Sequence, residues 1–181
     1  EGKKLNSPND LALSKSGDLY FTDPAYGFEK GPRDPKREIT FQGVYKMDKS
    51  GKLTLLLDSL EAPNGIDFMP DGKTLLVANS DPKKRRWYSY ELNAKGELKS
   101  GKIFYDASNE TAPGLCDGFK IDSQGNVFAT GPGGIWIFNR TGKLIGKIKL
   151  DSVTAANCAL TPDSKTLYIT AVQYLLRVKL R

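Results

Sequence analysis

A chain of 181 residues with a net charge of +6, 39% hydrophobic and 27% charged residues has an ordinary soluble composition and is large enough to bury a core. It contains no histidine, which excludes Ser-His-Asp and Cys-His nucleophile pairs, HExxH-type zinc sites and an imidazole general base. Any catalysis must run on carboxylates, amides, hydroxyls, lysines or a metal held by oxygen ligands.

The first predicted strand follows Pro8-Asn9-Asp10, with Leu11 and Leu13 alternating onto one face of a half-buried strand. A Ser16-Gly17 turn leads to a second strand over residues 19–22, which makes a hairpin. The connection from Asp23 to Gly43 is long and polar and carries Pro24, Tyr26, Gly31, Pro32 and Pro35, so it reads as a lid or binding loop in which Tyr26 is a candidate substrate contact. A third strand is expected over residues 44–47 and a fourth over 53–57. The pattern restarts at Pro63-Asn64-Gly65, with Ile66 and Phe68 alternating, an Asp71-Gly72 turn, and later strands over 74–77, 87–90 and 103–105. It restarts at Cys116-Asp117-Gly118, with Phe119 and Ile121, a Gln124-Gly125 turn, and strands over 127–130, 135–138 and 144–148. The last unit runs from Ala156-Asn157-Cys158 through an Asp163-Ser164 turn to strands over 166–170 and 175–178, and stops there at three strands.

Four strands per unit at about 45 residues each is the period of a β-propeller blade. The expected fold is therefore all-β, a single β-propeller region over residues 1–181 with blades at about 8–58, 63–106, 116–150 and 156–181. An open arc of blades would expose strand edges and sheet faces. The sequence is accordingly read as four blades of a six-bladed propeller, needing N-terminal blades or a self-association partner for closure.

Each first strand of a propeller lines the central channel, so a position repeated across blades points at one axis. Asn9, Asn64 and Asp117 share such a position, each followed eight residues later by glycine. Two amides and a carboxylate make an oxygen-only site suited to a hard divalent cation such as calcium or magnesium, with zinc or manganese also able to fit. Asn and Asp are also turn residues, and a turn alone would use them to tie the backbone. Asn157 of the last unit could face the channel too and is a further candidate substrate contact, although its spacing to the turn is one residue short.

Asn6-Ser7-Pro8-Asn9-Asp10, Tyr20-Phe21-Thr22-Asp23-Pro24-Ala25-Tyr26-Gly27, Ala62-Pro63-Asn64-Gly65-Ile66, Cys116-Asp117-Gly118-Phe119 and Asn157-Cys158-Ala159-Leu160, in this order and spacing, resemble the gluconolactonase branch of the regucalcin/gluconolactonase/luciferin-regenerating-enzyme family. The resemblance implies a six-bladed propeller with one divalent metal, calcium first, in the central channel, and hydrolysis of a sugar lactone. It implies Asn64 and Asp117 as metal ligands, Asn9 as a ligand or substrate contact, and Asp117 as the general base. It also implies a glutamate ligand from a first blade, a role for which neither Glu1 nor Glu29 has a blade-start context.

In that chemistry the cation polarises the lactone carbonyl and activates water, while Asp117, its pKa depressed by the cation, is a weak base. Two other readings compete: a non-catalytic propeller binding module with a structural metal, and an organophosphate-hydrolysing calcium propeller. The basic run Lys83-Lys84-Arg85-Arg86 reads as a solvated turn rather than a nucleic-acid site, and no apolar run is long enough to span a membrane. Cys116 and Cys158 read as buried free thiols, Trp87 and Trp136 as core. The compartment, cytoplasmic or periplasmic and secreted, stays open.

Overall fold

A computed structural model describes residues 2–180; Glu1 and Arg181 lie outside the described residues. The architecture is the all-β one the repeat implies. The first sheet orders β1 (Leu11–Leu13), β2 (Leu19–Asp23), β3 (Gly43–Met47) and β4 (Leu53–Leu57) as an antiparallel meander. The second holds β5 (Pro63–Phe68), β6 (Thr74–Asp81), β7 (Lys84–Leu92) and β8 (Leu98–Asp106); the third holds β9 (Phe119–Ile121), β10 (Val127–Gly131), β11 (Gly134–Phe138) and β12 (Leu144–Lys149). The last sheet has three strands, β13 (Asn157–Leu160), β14 (Thr166–Ala171) and β15 (Tyr174–Lys179). A single 3-10 turn at Gly31–Arg33 interrupts the long connection, and no helix among the described residues is long and apolar enough to cross a membrane.

Three apolar seams join consecutive blades. Ala12, Tyr20 and Val44 of the first blade pack on Ile66, Leu75 and Val77 of the second. The other face of the second blade, with Leu76, Ala78 and Trp87, meets Phe119, Val127, Trp136 and Phe138 of the third. Phe128 and Ile135 then meet Cys158, Leu167 and Ile169 of the fourth. Trp87 and Trp136 are fully buried at 5.8 Å between ring centroids, and Cys116 and Cys158 are free and buried.

Two expectations need correcting. Leu11 and Leu13 are 59% and 65% exposed instead of half-buried, because the side of β1 they occupy carries no neighbouring sheet among the described residues. The basic run is not a free turn. Only Pro82 and Lys83 turn, and β7 begins at Lys84, so Lys84 pairs with Glu61, Arg86 Nε donates to Asp106 at 2.9 Å, and Arg85 donates to the Glu110 carbonyl at 2.6 Å.

Candidate active site at the blade starts

The first hairpin turn of each blade closes through the same backbone bond. Gly17 donates to Ser14, Gly72 to Met69, Gly125 to Asp122 and Ser164 to Thr161, at 2.8–3.0 Å. The glycines have φ of 87°, 65° and 84°, and Ser164 takes the same left-handed conformation at 55°. Counting back eight residues from these turns puts Asn9, Asn64, Asp117 and Ala156 in one register. Asn157 stands one residue later, level with Asp10, Gly65 and Gly118.

Asn64 projects from a β-bulge. Pro63 pairs with Asn79 and Ile66 with Val77, so Asn64 and Gly65 together face the single Ala78. An added Cβ at Gly65 would collide with the Asp117 carbonyl oxygen and approach the Phe119 ring to 2.8 Å, so only glycine lets the second and third blades close at this level. The Asn64 carboxamide is 6% exposed; its Nδ2 donates to Ser80 Oγ at 2.9 Å, and its Oδ1 has no hydrogen-bond partner.

Asp117 sits across that contact. Its N–H donates to Thr130 Oγ1 at 3.2 Å, and the neighbouring Gly118 N–H donates to the Ala156 carbonyl of the fourth blade at 2.9 Å. Burial pushes the Asp117 carboxyl up to about 6; the Asn64 amide and the Gly118 N–H pull it down and Asp10 pushes it up further. Without a cation, then, desolvation outweighs the amide donors, the opposite direction from the cation-bound expectation.

Tyr26 joins this pair. It is 45% exposed, yet its hydroxyl turns inward, donates to the Ala62 carbonyl at 3.2 Å and is pushed up to about 12 by burial, with Ser80 and Asn64 lowering it and Asp117 raising it. The loop bearing Tyr26 is tied down: Gln42 Oε1 accepts the Ala25 N–H at 2.8 Å, and Arg37 Nε donates to Asn6 Oδ1 at 2.9 Å. Between this loop and the β6–β7 turn lies a cavity of about 420 Å³, lined by Tyr26, Phe28, Glu29, Ser80 and Asp81 among others.

Asn157, from the fourth blade, lies against Gly118, the residue after Asp117. The Asn157 carboxamide lies so close to Gly118 that an added Cβ there would overlap it, while its Oδ1 accepts the Cys158 N–H at 2.8 Å. Asn9 is exposed just before β1, held through its N–H to the Thr22 carbonyl at 2.9 Å; the structure records no bond from its side chain to Asn64 or Asp117. The segment before Asn9 is fixed by buried Asp23, whose two carboxylate oxygens accept the Asn6 and Ser7 N–H groups at 2.8 Å.

Sequence reasoning missed Ser80, Asp23 and the threonines of the second strands. A faint signal existed: Thr22, Thr130 and Thr170 recur near the ends of β2, β10 and β14, with Ser80 near the end of β6. Among the described residues no three carboxylate or thiol groups converge into a ready metal cluster. The donors here are a buried, partnerless amide oxygen and one carboxylate, hard oxygen ligands whose chemistry fits a divalent cation.

The family model described as SMP-30/Gluconolactonase/LRE-like region matches residues 1–173. A gluconolactonase of Zymomonas mobilis is 38% identical over 184 residues, covering 99% of this chain and 52% of that protein. A diisopropyl-fluorophosphatase of Loligo vulgaris is 27% identical over 180 residues, covering 94% of this chain and 55% of that protein. Among solved structures, a gluconolactonase of Xanthomonas campestris superposes with a TM-score of 0.84 at 32% identity, covering 99% of this chain and 59% of that one. The chain thus spans about half the length of the curated relatives it matches.

Proposed function

Because the chain belongs to the SMP-30/gluconolactonase/LRE-like family, we propose that its blade-start residues serve the cation-dependent hydrolysis of a sugar lactone. The observation that carries this reading is the buried Asn64 Oδ1, an amide oxygen with no partner, beside the Asp117 carboxyl.

Asn64 and Asp117 are the residues that would hold the cation, with Asn9 as a further ligand or a substrate contact. A bound divalent cation, calcium first by the all-oxygen donor set, would supply Lewis-acid polarisation of the lactone carbonyl. The Asp117 carboxylate orients the attacking water and accepts its proton at a carboxylate oxygen. With the cation bound its charge would lower the basicity that burial confers on Asp117, so activation of the water would fall chiefly to the metal. The Tyr26 hydroxyl and the Asn157 carboxamide contact the sugar hydroxyls, and the cavity between the loop and the β6–β7 turn receives the ring.

The match to a diisopropyl-fluorophosphatase favours one second reading, hydrolysis of a phosphotriester at the same residues. A pH-stat assay on glucono-1,5-lactone and on a phosphotriester, each with and without chelator, separates them. Chelator-sensitive turnover of the lactone supports the first reading, and turnover of the phosphotriester alone supports the second. Inactivity on both, indifferent to chelator, leaves a non-catalytic binding module.

A further inference from the structure

The Ser80 hydroxyl stands between the two residues on which the proposed site depends. Its oxygen accepts from Asn64 Nδ2 at 2.9 Å, and its proton goes to the carbonyl of Cys116, the residue immediately before Asp117. One hydroxyl therefore holds a side chain of the second blade and the backbone of the third. The direction of these bonds fixes the amide. Were the carboxamide turned over, its oxygen would face a hydroxyl oxygen whose only proton is already given to Cys116.

The arrangement belongs to a wider set of hydroxyls. Thr22 Oγ1 receives the Asp10 N–H at 3.3 Å and donates to the Asn64 carbonyl at 2.8 Å, which ties the first blade to the backbone of the same asparagine. In the fourth blade, Thr170 Oγ1 receives the Asn157 N–H at 3.1 Å and returns its proton to the Asn157 carbonyl, so it links only strands of its own sheet. Of these strand-end hydroxyls, those of Thr22 and Ser80 reach across blades, to the backbones of Asn64 and Cys116. Ser80 is itself buried, so water cannot readily replace its bonds.

We infer that Ser80 is a positioning residue that sets the orientation of the Asn64 carboxamide and its placement against Asp117. The inference rests on the proposed cation-binding role of Asn64 and extends it to the hydroxyl that holds the Asn64 carboxamide, rather than to a further cation ligand. Outer partners of this kind govern affinity by about 10- to 100-fold.

The test uses the protein at its full length and two readouts: calcium affinity by isothermal titration, and exchange of the Asn64 side-chain amide protons by NMR in chelator. The variants are Ser80→Ala, Ser80→Thr, Asn64→Ala and Thr170→Ala. Ser80→Ala is expected to weaken calcium about 10- to 100-fold and to speed amide exchange. Ser80→Thr, which keeps the hydroxyl at a strand end where three other blades carry threonine, restores both; Thr170→Ala changes neither. The inference is overturned if Ser80→Ala keeps both properties, if a folded Ser80→Thr fails to restore them, or if Thr170→Ala is equally damaging. Should Ser80→Ala not fold, a folded Ser80→Thr with wild-type affinity and slow exchange supports the inference, and one with weak affinity and fast exchange refutes it. If wild type and Asn64→Ala bind calcium alike, or neither binds, the cation reading itself falls and this inference falls with it.

Discussion

The second and fourth blades are built around the same turn and put opposite residues at the same place. Met69-Pro70-Asp71-Gly72-Lys73-Thr74 and Thr161-Pro162-Asp163-Ser164-Lys165-Thr166 close through matching backbone bonds, with Asp71 and Asp163 accepting the N–H two residues on at 2.7 and 3.1 Å. Eight residues before the turn, the second blade carries Asn64, buried with an idle carbonyl oxygen, and the fourth carries exposed Ala156. An alanine serves the turn as well as an amide does. Polarity at the blade start is therefore not a requirement of the hairpin, and the idle Asn64 Oδ1 supports the cation-binding role proposed for it.

The largest expected effect strikes the residue opposite Asn64. Asp117→Ala should lower lactone hydrolysis by about 10²- to 10⁴-fold in a pH-stat assay, with near-wild-type far-UV circular dichroism. Wild-type turnover in this variant would remove Asp117 from the chemistry and with it the contrast between the blades.

Next in size is Asn64→Ala, which makes the second blade resemble the fourth. Calcium affinity should fall at least about tenfold. In chelator, urea unfolding should place the variant within about 1 kcal/mol of wild type, because the lost Ser80 bond is offset by removal of an unsatisfied acceptor. A large loss of stability in chelator would mean that the amide is structural after all.

A third prediction concerns pH. The Asp117 carboxyl, raised by burial to about 6 from 3.8, binds its proton more tightly folded than unfolded. Its stabilising contribution is fully present below about pH 4 and is lost as pH rises through about 6. In chelator, the melting temperature of wild type relative to Asp117→Asn should therefore fall across that window, and added calcium should cancel the trend. A flat difference would show that the carboxyl is not desolvated.

The smallest effect lies at the turns. Ser164 holds φ of 55° where its counterpart is glycine, so Ser164→Gly should raise unfolding free energy by about 0.5–1 kcal/mol in urea titration. No gain would mean that the two turns are less alike than their backbone bonds suggest.

Much of this was readable from residue order. Alternating Ile66/Phe68 and Phe119/Ile121, the glycine turns and the tryptophans mark strands and core, because period and turn chemistry are local properties. Burial of the same register is not local: Phe119 is fully buried against the second blade, while Leu11 at the matching position faces solvent. The strand start at Lys84 was hidden because charged side chains masked a backbone that pairs fully with β6, Asp81 opposite Lys84. Within the site, the repeat exposes Asn64 and Asp117, but not the bulge that aims Asn64 or the Ser80 hydroxyl that grips it. Those depend on which backbone atoms meet across blades, and a one-dimensional pattern carries no record of that.

The sealed thiols have a practical consequence for spectroscopy. Burial raises the pKa of both Cys116 and Cys158, so neither offers a thiolate near neutral pH, and the chain has no imidazole. With soft and borderline donors removed, a lanthanide added as a luminescent stand-in for calcium finds only oxygen to bind. Its emission would report on carboxylate and amide ligands without background from sulfur or nitrogen, and a single cysteine introduced at the surface would take a fluorophore selectively.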